Sequence, residues 1–186
     1  DDFPASPSKK LKKALDRLSL PVCIVIIIKQ ISDRDKGGAF MKVLLVNGSA
    51  REHGCTDAAL TEVARALNEE GVVTEFVFIG NQPLPDCIGS LKCRETGSCV
   101  FDDAVNRFVE QARGADGFVF GSPVYFAHPS ARLLAFMDRA FYSGGDAFAF
   151  KPAAAVLSAR RAGTTASLDV INKYFTICSM PVVSST

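Results

Sequence analysis

The sequence predicts an α/β domain on a doubly wound parallel sheet, and three observations predict it. From Met41 onward, short apolar runs alternate with longer segments whose apolar residues recur at helical spacing, the pattern of successive βαβ units. The first of these runs, Val43 to Asn47, is almost continuously apolar, as a strand buried on both faces of a parallel sheet must be. The loops with unusual polar and glycine content follow the first, third and fourth strands, at the sheet edge where such folds place their ligands.

Val43 to Asn47 is the first strand, and Gly48 to Cys55 a glycine-bearing loop. Thr56 to Glu70 then carries Ala59, Leu60, Val63, Ala64 and Leu67 on one helical stripe, and Gly71 stops it. Val73 to Ile79 is the second strand. Residues 80–100 read as a long loop containing Cys87, Cys93 and Cys99, and Asp102 to Gln111 as a helix. Gly117 to Phe120 is the third strand, Gly121 to Pro129 a loop, and Ser130 to Phe141 a helix. Ala153 to Leu157 is the fourth strand, Thr165 to Cys178 a helix, and Pro181 to Ser184 the start of a fifth strand where the chain ends. A final helix, which would cover one face of such a sheet, is therefore expected to be missing. The segment before Met41 or a second copy would then cover that face, unless the chain is a truncated product.

Residues 1–40 differ in character and form an N-terminal extension of uncertain origin, leaving 41–186 as the domain. The extension contains a Lys-rich helical pattern around Ser8 to Leu18, a strand-like run from Val22 to Ile28 and a polar linker from Ser32 to Gly38. The seven-residue apolar run is far short of the roughly 20 needed to span a bilayer, and no small-residue cleavage site follows it. Hydrophobic residues make up 48% of the 186, enough for one substantial core. Lysine plus arginine (21) nearly balance aspartate plus glutamate (20), so there is no electrostatic footprint for nucleic acid. The lysine pairs at 9–10 and 12–13 read as a solvated helix face. Six cysteines in a chain that reads as an α/β domain with no recognisable secretory signal favour a reduced, cytoplasmic setting over a disulfide framework.

The first loop, Gly48-Ser-Ala-Arg-Glu-His-Gly-Cys-Thr56, leaves a buried strand and enters a helix N-terminus, where unpaired N–H groups and the helix dipole favour an anion. Ser49 and Thr56 add hydroxyls and Arg51 a charge that forks onto phosphate oxygens. Five residues separate Gly48 from Gly54, with Cys55 where a P-loop carries lysine, which excludes a Walker A loop. The dinucleotide fingerprint G-x-G-x-x-G is also absent. A mononucleotide phosphate remains, against the plainer reading of a Ser/Gly turn capping a helix.

The run Lys42 to Arg51 with Gly54 and Thr56 resembles the opening of the NADPH-dependent FMN reductase family, a flavodoxin-like group that includes quinone reductases and iron–sulfur flavoproteins. Gly121-Ser-Pro-Val-Tyr-Phe126, Ser130-Ala131, Met137-Asp138-Arg139 and the loop from Ala159 to Thr164 continue the resemblance in order. It implies a five-stranded sheet of order 2-1-3-4-5. It implies that Ser49, Arg51, Cys55 and Thr56 hold an FMN phosphate, and that Ser122, Pro123, Val124, Tyr125 and Phe126 line the isoalloxazine ring. Arg160 and Gly163 would meet the reduced flavin edge or a nicotinamide phosphate, with Arg161 beside them. Tyr125 or Phe126 would supply the flat wall a flavin needs, although packing in the core is the plain alternative for an aromatic residue. Hydride transfer to flavin needs positioning more than acid–base chemistry, so no catalytic dyad is assigned. The lone His128 reads as a polar loop residue rather than a proton donor.

The family's iron–sulfur members carry C-x2-C-x2-C and a later fourth cysteine. Laid on that pattern the chain has Cys87, Ser90, Cys93 and Cys99, one thiolate short of the four a [4Fe–4S] cluster takes. A structural zinc site faces the same deficit. The expectation is a loop without a cluster. The resemblance implies an FMN-dependent NAD(P)H oxidoreductase acting on a flavin, quinone or other small acceptor, as a homodimer. A flavodoxin-type electron carrier fits the near-neutral charge less well, and a degenerate domain that binds no flavin is the third reading.

Overall fold

The computed structural model describes residues 41–183. The expected helix at Ser8 to Leu18, the strand-like run Val22 to Ile28, the linker that follows it and the end of the fifth strand at Ser184 lie outside the described residues.

Strand β1 (Lys42–Asn47) is the spine of the sheet, and Val43 through Val46 are wholly buried. Each such side chain contributes on the order of 1.5–3 kcal/mol when taken out of water, which explains the unbroken apolar run. Helix α1 (Cys55–Glu69) follows, then β2 (Val73–Phe78), a one-turn helix α2 (Cys93–Thr96) and α3 (Ala104–Arg113). Strand β3 (Gly117–Tyr125), the two-residue β4 (His128–Pro129), α4 (Ala131–Gly144), β5 (Ala153–Ser158) and α5 (Thr164–Ile177) complete the described chain.

The parallel order is β2-β1-β3-β5, and Val182 bridges in parallel to Ala153 on the far edge. The expected order 2-1-3-4-5 is therefore present, with the fifth strand reduced to that bridge among the described residues. Alternation along the strands sends side chains to opposite faces. Leu44, Val46, Phe118 and Phe120 meet α3, α4 and α5 through an aromatic core in which Phe141 stacks on Phe148 at 4.4 Å between ring centroids. Val43, Leu45 and Val119 meet α1 on the other face, where Ala154 and Val156 of β5 are only partly buried.

The structure corrects the sequence reading at two places. Residues 121–129 are not a loop: β3 runs on to Tyr125 and folds back as a tight antiparallel hairpin, pairing Val124 with Pro129 and Tyr125 with His128. Proline inside this strand is tolerated for a geometric reason. Gly121 O accepts from Gly48 N–H on the β1 side, so alternation turns position 123 the same way, where β1 has ended and a missing N–H costs no ladder bond. The hairpin turn places Phe126 (φ +51°) and Ala127 (φ +60°) in the left-handed region, where Asn-Gly is usual. No turn signal was therefore legible in the sequence. The second correction is α2, a single helical turn inside the expected long loop.

Candidate functional site

Three loops meet at the carboxyl edge of the sheet. The first, after β1, is shaped by Asn47: its buried side chain accepts from Ser49 N–H (3.0 Å) and donates to Glu52 O (3.2 Å). Ser49 Oγ in turn accepts from Arg51 N–H at 3.0 Å, curling the loop back on itself. Gly48 is wedged between β3 and α4, because a Cβ there would lie 2.8 Å from both Gly121 O and Leu133 Cβ. Helix α1 then begins with Gly54 at its N-cap and no side-chain cap, which leaves its first N–H groups for solvent or an anion. Asp57 in that first turn lies 3.6 Å from His53 Nδ1.

The second loop is the β3–β4 hairpin. Ser122 is fully buried and structural: its Oγ donates to Pro123 O and accepts from Ser130 N–H, both at 2.9 Å. Ser130 Oγ caps α4 by accepting from Leu133 N–H (3.2 Å) and donates to Gly48 O (2.8 Å), tying hairpin and first loop together. Pro123 is buried, Val124 half-buried, and Tyr125 and Phe126 exposed. Neither aromatic packs in the core, and Phe126 is fully exposed at the hairpin tip.

The third loop, 159–163, holds Arg160 and Arg161, both exposed. Gly163 takes φ +93°, and a Cβ there would sit 2.4 Å from Ala127 Cα, so only glycine lets this loop lie against the hairpin. Thr56 Oγ1 and Ser158 Oγ are hydrogen-bonded at 2.9 Å across the edge. Thr56 is thus buried as a clasp between α1 and β5, whereas Cys55 beside it is exposed. The sequence-predicted residues Ser49, Arg51, Cys55, Thr56, Ser122–Phe126, Arg160 and Gly163 therefore all belong to three interlocked loops. Sequence reasoning missed Asn47, Ser130 and Ser158, whose roles are hydrogen bonds to distant backbone or side chains.

The cysteine loop lies elsewhere, over α4. Cys87, Ser90, Cys93 and Cys99 line one shallow, open depression. Among the described residues, no three His, Cys, Asp or Glu side chains are gathered closely enough for a single metal ion. The loop is held from beneath by Arg139, whose side chain is 0% exposed. Its guanidinium donates to Cys99 Sγ (3.1 Å), Pro85 O (3.2 Å), Phe101 O (3.3 Å) and both oxygens of Asp103 (2.8 Å each). Burial pushes the Asp103 carboxyl up, but the Arg139 hydrogen bonds, with Val105 N–H and the nearby positive charge, outweigh it and hold it below the ordinary aspartate value. Arg139 itself is discouraged from charging by burial yet raised overall by Asp103 and Cys99. Asn106 adds a second anchor, accepting from Cys99 N–H (2.9 Å) and donating to Cys99 O (3.0 Å). The sequence reading quoted Arg139 without giving it a role; an arginine on the apolar stripe of α4 was the available signal.

The chain is similar to known proteins along most of its described length. An iron–sulfur flavoprotein of Methanocaldococcus jannaschii is 37% identical over 149 residues, covering 77% of this chain and 76% of that one. An NAD(P)H-dependent FMN reductase of Pseudomonas aeruginosa is 34% identical over 125 residues, 67% of this chain and 63% of that one. A solved flavoenzyme NAD(P)H:(acceptor) oxidoreductase from Paracoccus denitrificans has the same fold, with a TM-score of 0.60 at 16% identity over 77% of this chain and 75% of that one. No described helix is long and apolar enough to cross a membrane. The sequence pattern of the family described as NADPH-dependent FMN reductase matches residues 41–186, and the chain belongs to that family.

Proposed function

We propose that the three loops at the carboxyl edge bind FMN and that the chain uses it to oxidise NADH or NADPH in favour of a flavin, a quinone or another small acceptor. The observation that carries this reading is the convergence of an uncapped α1 N-terminus, an exposed aromatic hairpin and an arginine-bearing loop at one sheet edge. The donor chemistry fits the cofactor. The α1 N–H groups, Ser49 Oγ and Arg51 suit a phosphate dianion, with Cys55 beside them and Thr56 serving through its backbone and its clasp on Ser158. The β3 edge from Ser122 to Tyr125 offers backbone groups for a polar ring edge, and Tyr125 and Phe126 offer a flat apolar wall. Arg160, after β5, would stabilise negative charge at the reduced ring or meet a nicotinamide phosphate, and Gly163 lets that loop reach the hairpin.

FMN would supply hydride acceptance and onward electron transfer. The protein's own work is to hold the two rings in register and keep water from between them, which is positional. A second copy is proposed to complete the site over the exposed hairpin, and sedimentation would show it. The Methanocaldococcus relative is named an iron–sulfur flavoprotein, but the cysteine loop here offers three thiols and a serine rather than four thiols, so a loop without a cluster stays the reading for this chain.

The test is the visible spectrum of the full chain before and after adding FMN, followed by steady-state NADH and NADPH oxidation with flavin and quinone acceptors. Bound flavin with turnover supports the oxidoreductase. Bound flavin without nicotinamide oxidation would instead favour an electron carrier, and a colourless protein that rejects FMN would overturn the reading.

A further inference from the structure

We propose that Cys99 is a peroxide-reactive thiol with Cys93 as its resolving partner, so that the loop over α4 cycles between a dithiol and a disulfide. The proposal is independent of where FMN binds.

Cys93 and Cys99 line the same depression and are both half-buried, while Cys87 beside them is exposed. Of these three sulfurs, Cys99 Sγ is the one that accepts from a guanidinium, Arg139 Nε–H at 3.1 Å. That guanidinium is wholly buried and is fixed by both oxygens of Asp103, by Pro85 O and by Phe101 O. It cannot turn away. Asp103 shares its charge, yet the Nε–H stays on the sulfur. Negative charge that gathers on Cys99 Sγ as it attacks is therefore met by a fixed donor on a cation, the setting in which cysteines react. The rest of the lining is mostly apolar, with Ile88, Leu91, Val100 and Phe101, which suits a small uncharged oxidant of the hydroperoxide class.

Cys93 opens α2, a single turn that buries none of its residues. Gly97 N–H returns to Cys93 O at 2.9 Å, and Gly97 (φ +71°) then reverses the chain just before Cys99. A disulfide needs Cβ atoms about 3.5–4.5 Å apart. The adjustment that reaches this geometry falls on α2, where the absence of buried side chains makes a local shift cost little.

The chemistry balances in two steps. Cys99 sulfur attacks one oxygen of hydrogen peroxide and the O–O bond breaks. The departing hydroxide takes a proton and leaves as water, and Cys99 becomes a sulfenic acid. Cys93 sulfur then displaces the sulfenic hydroxyl, which leaves as water with the Cys93 thiol proton. Both sulfurs end oxidised in an S–S bond, and the peroxide oxygens end reduced.

The experiment treats the full, reduced chain with equimolar hydrogen peroxide and a metal chelator, quenches with an alkylating reagent, and maps the thiols by non-reducing tryptic mass spectrometry. Lys92 and Arg94 flank Cys93, so trypsin places Cys87, Cys93 and Cys99 on separate peptides. The expected product is a linked Cys93–Cys99 pair, reversed by dithiothreitol, with Cys87 still alkylated. In Cys93→Ser the sulfenic acid at Cys99 should persist and be trapped by dimedone. Cys99 should also react at least about tenfold faster than the more exposed Cys87 in the folded wild type, an advantage lost in urea. Peroxide that takes Cys87 first, leaves Cys99 reduced, or links Cys99 to Cys87 would overturn the assignment. Those outcomes are read on the wild-type chain and hold whether or not Cys93→Ser folds. Equal preference in the folded chain and in urea would overturn the part given to Arg139.

Discussion

The carboxyl-edge loops and the cysteine loop are held in opposite ways. The edge loops grow directly from the buried strands β1, β3 and β5, and are locked by close backbone approach at Gly48, Gly121 and Gly163 plus the hydroxyls of Ser122, Ser130 and Thr56. The cysteine loop leaves the sheet and is anchored chiefly by side chains: the Arg139 guanidinium with its partner Asp103, Asn106, and Arg132 of α4 on the backbone oxygens of Asn81 and Gln82. The difference teaches that a site on the sheet edge is held by backbone packing, whereas a site above a helix depends on side-chain anchors, of which the Arg139–Asp103 ion pair is the most buried.

The comparison breaks most visibly at Asp103. Asp103→Ala leaves the buried Arg139 charge without its carboxylate, and the expected loss is about 3–5 kcal/mol in urea unfolding. The native fraction should keep its FMN affinity. A loss below about 1 kcal/mol would show that the loop has other anchors. The pH dependence follows from the same pair. Because the folded Asp103 value lies below the ordinary one near 4, its stabilisation is present above that ordinary value and disappears as pH falls through the lower folded one. Acid unfolding curves should show that slope in the wild type and lose it in Asp103→Asn.

Gly48→Ala strikes the other region. Its Cβ meets the backbone oxygen of Gly121 at 2.8 Å, which cannot swing aside, so about 1–3 kcal/mol of stability should go, with FMN affinity down at least about tenfold in fluorescence titration. Gly163→Ala should cost at least as much in unfolding, because its Cβ would lie 2.4 Å from Ala127 Cα on top of about 1–2 kcal/mol for the left-handed backbone, and should shift the hairpin, read as altered flavin fluorescence. Gly54→Ala, whose nearest neighbour would be 3.5 Å away, should cost less, since only glycine's modest N-cap preference over alanine is lost. Smallest of all is Phe126→Ala. The side chain is fully exposed, so stability should stay within about 0.5 kcal/mol. If the ring serves as a wall for flavin or nicotinamide, kcat/KM for NAD(P)H oxidation should still fall. An unchanged kcat/KM would remove Phe126 from the site.

Much of this was written locally. The apolar run of β1, the stripe of α1 and the polar loops after three strands are periodic or compositional features, and periodicity survives folding unchanged. They were sufficient for a doubly wound parallel sheet and for the phosphate-type loop after β1; the strand order and the remaining edge residues came with the family resemblance. The hairpin was not legible, because Phe126-Ala127 is a poor turn sequence, stabilised only by the neighbours that press on it. The clasp Thr56–Ser158 spans 102 residues, and no local pattern announces a partner so distant.

The amino-acid sequence alone determined the layers and the chemistry available at each loop, since side-chain periodicity and residue type are intrinsic to the chain. Tertiary structure decided which hydroxyls are clasps and which face the edge. It also decided that Arg139 is buried beneath Cys99 and that Cys87, Ser90, Cys93 and Cys99 share one depression. Those outcomes depend on which groups long-range packing removes from water, and desolvation is a property of the assembled fold rather than of any segment within it.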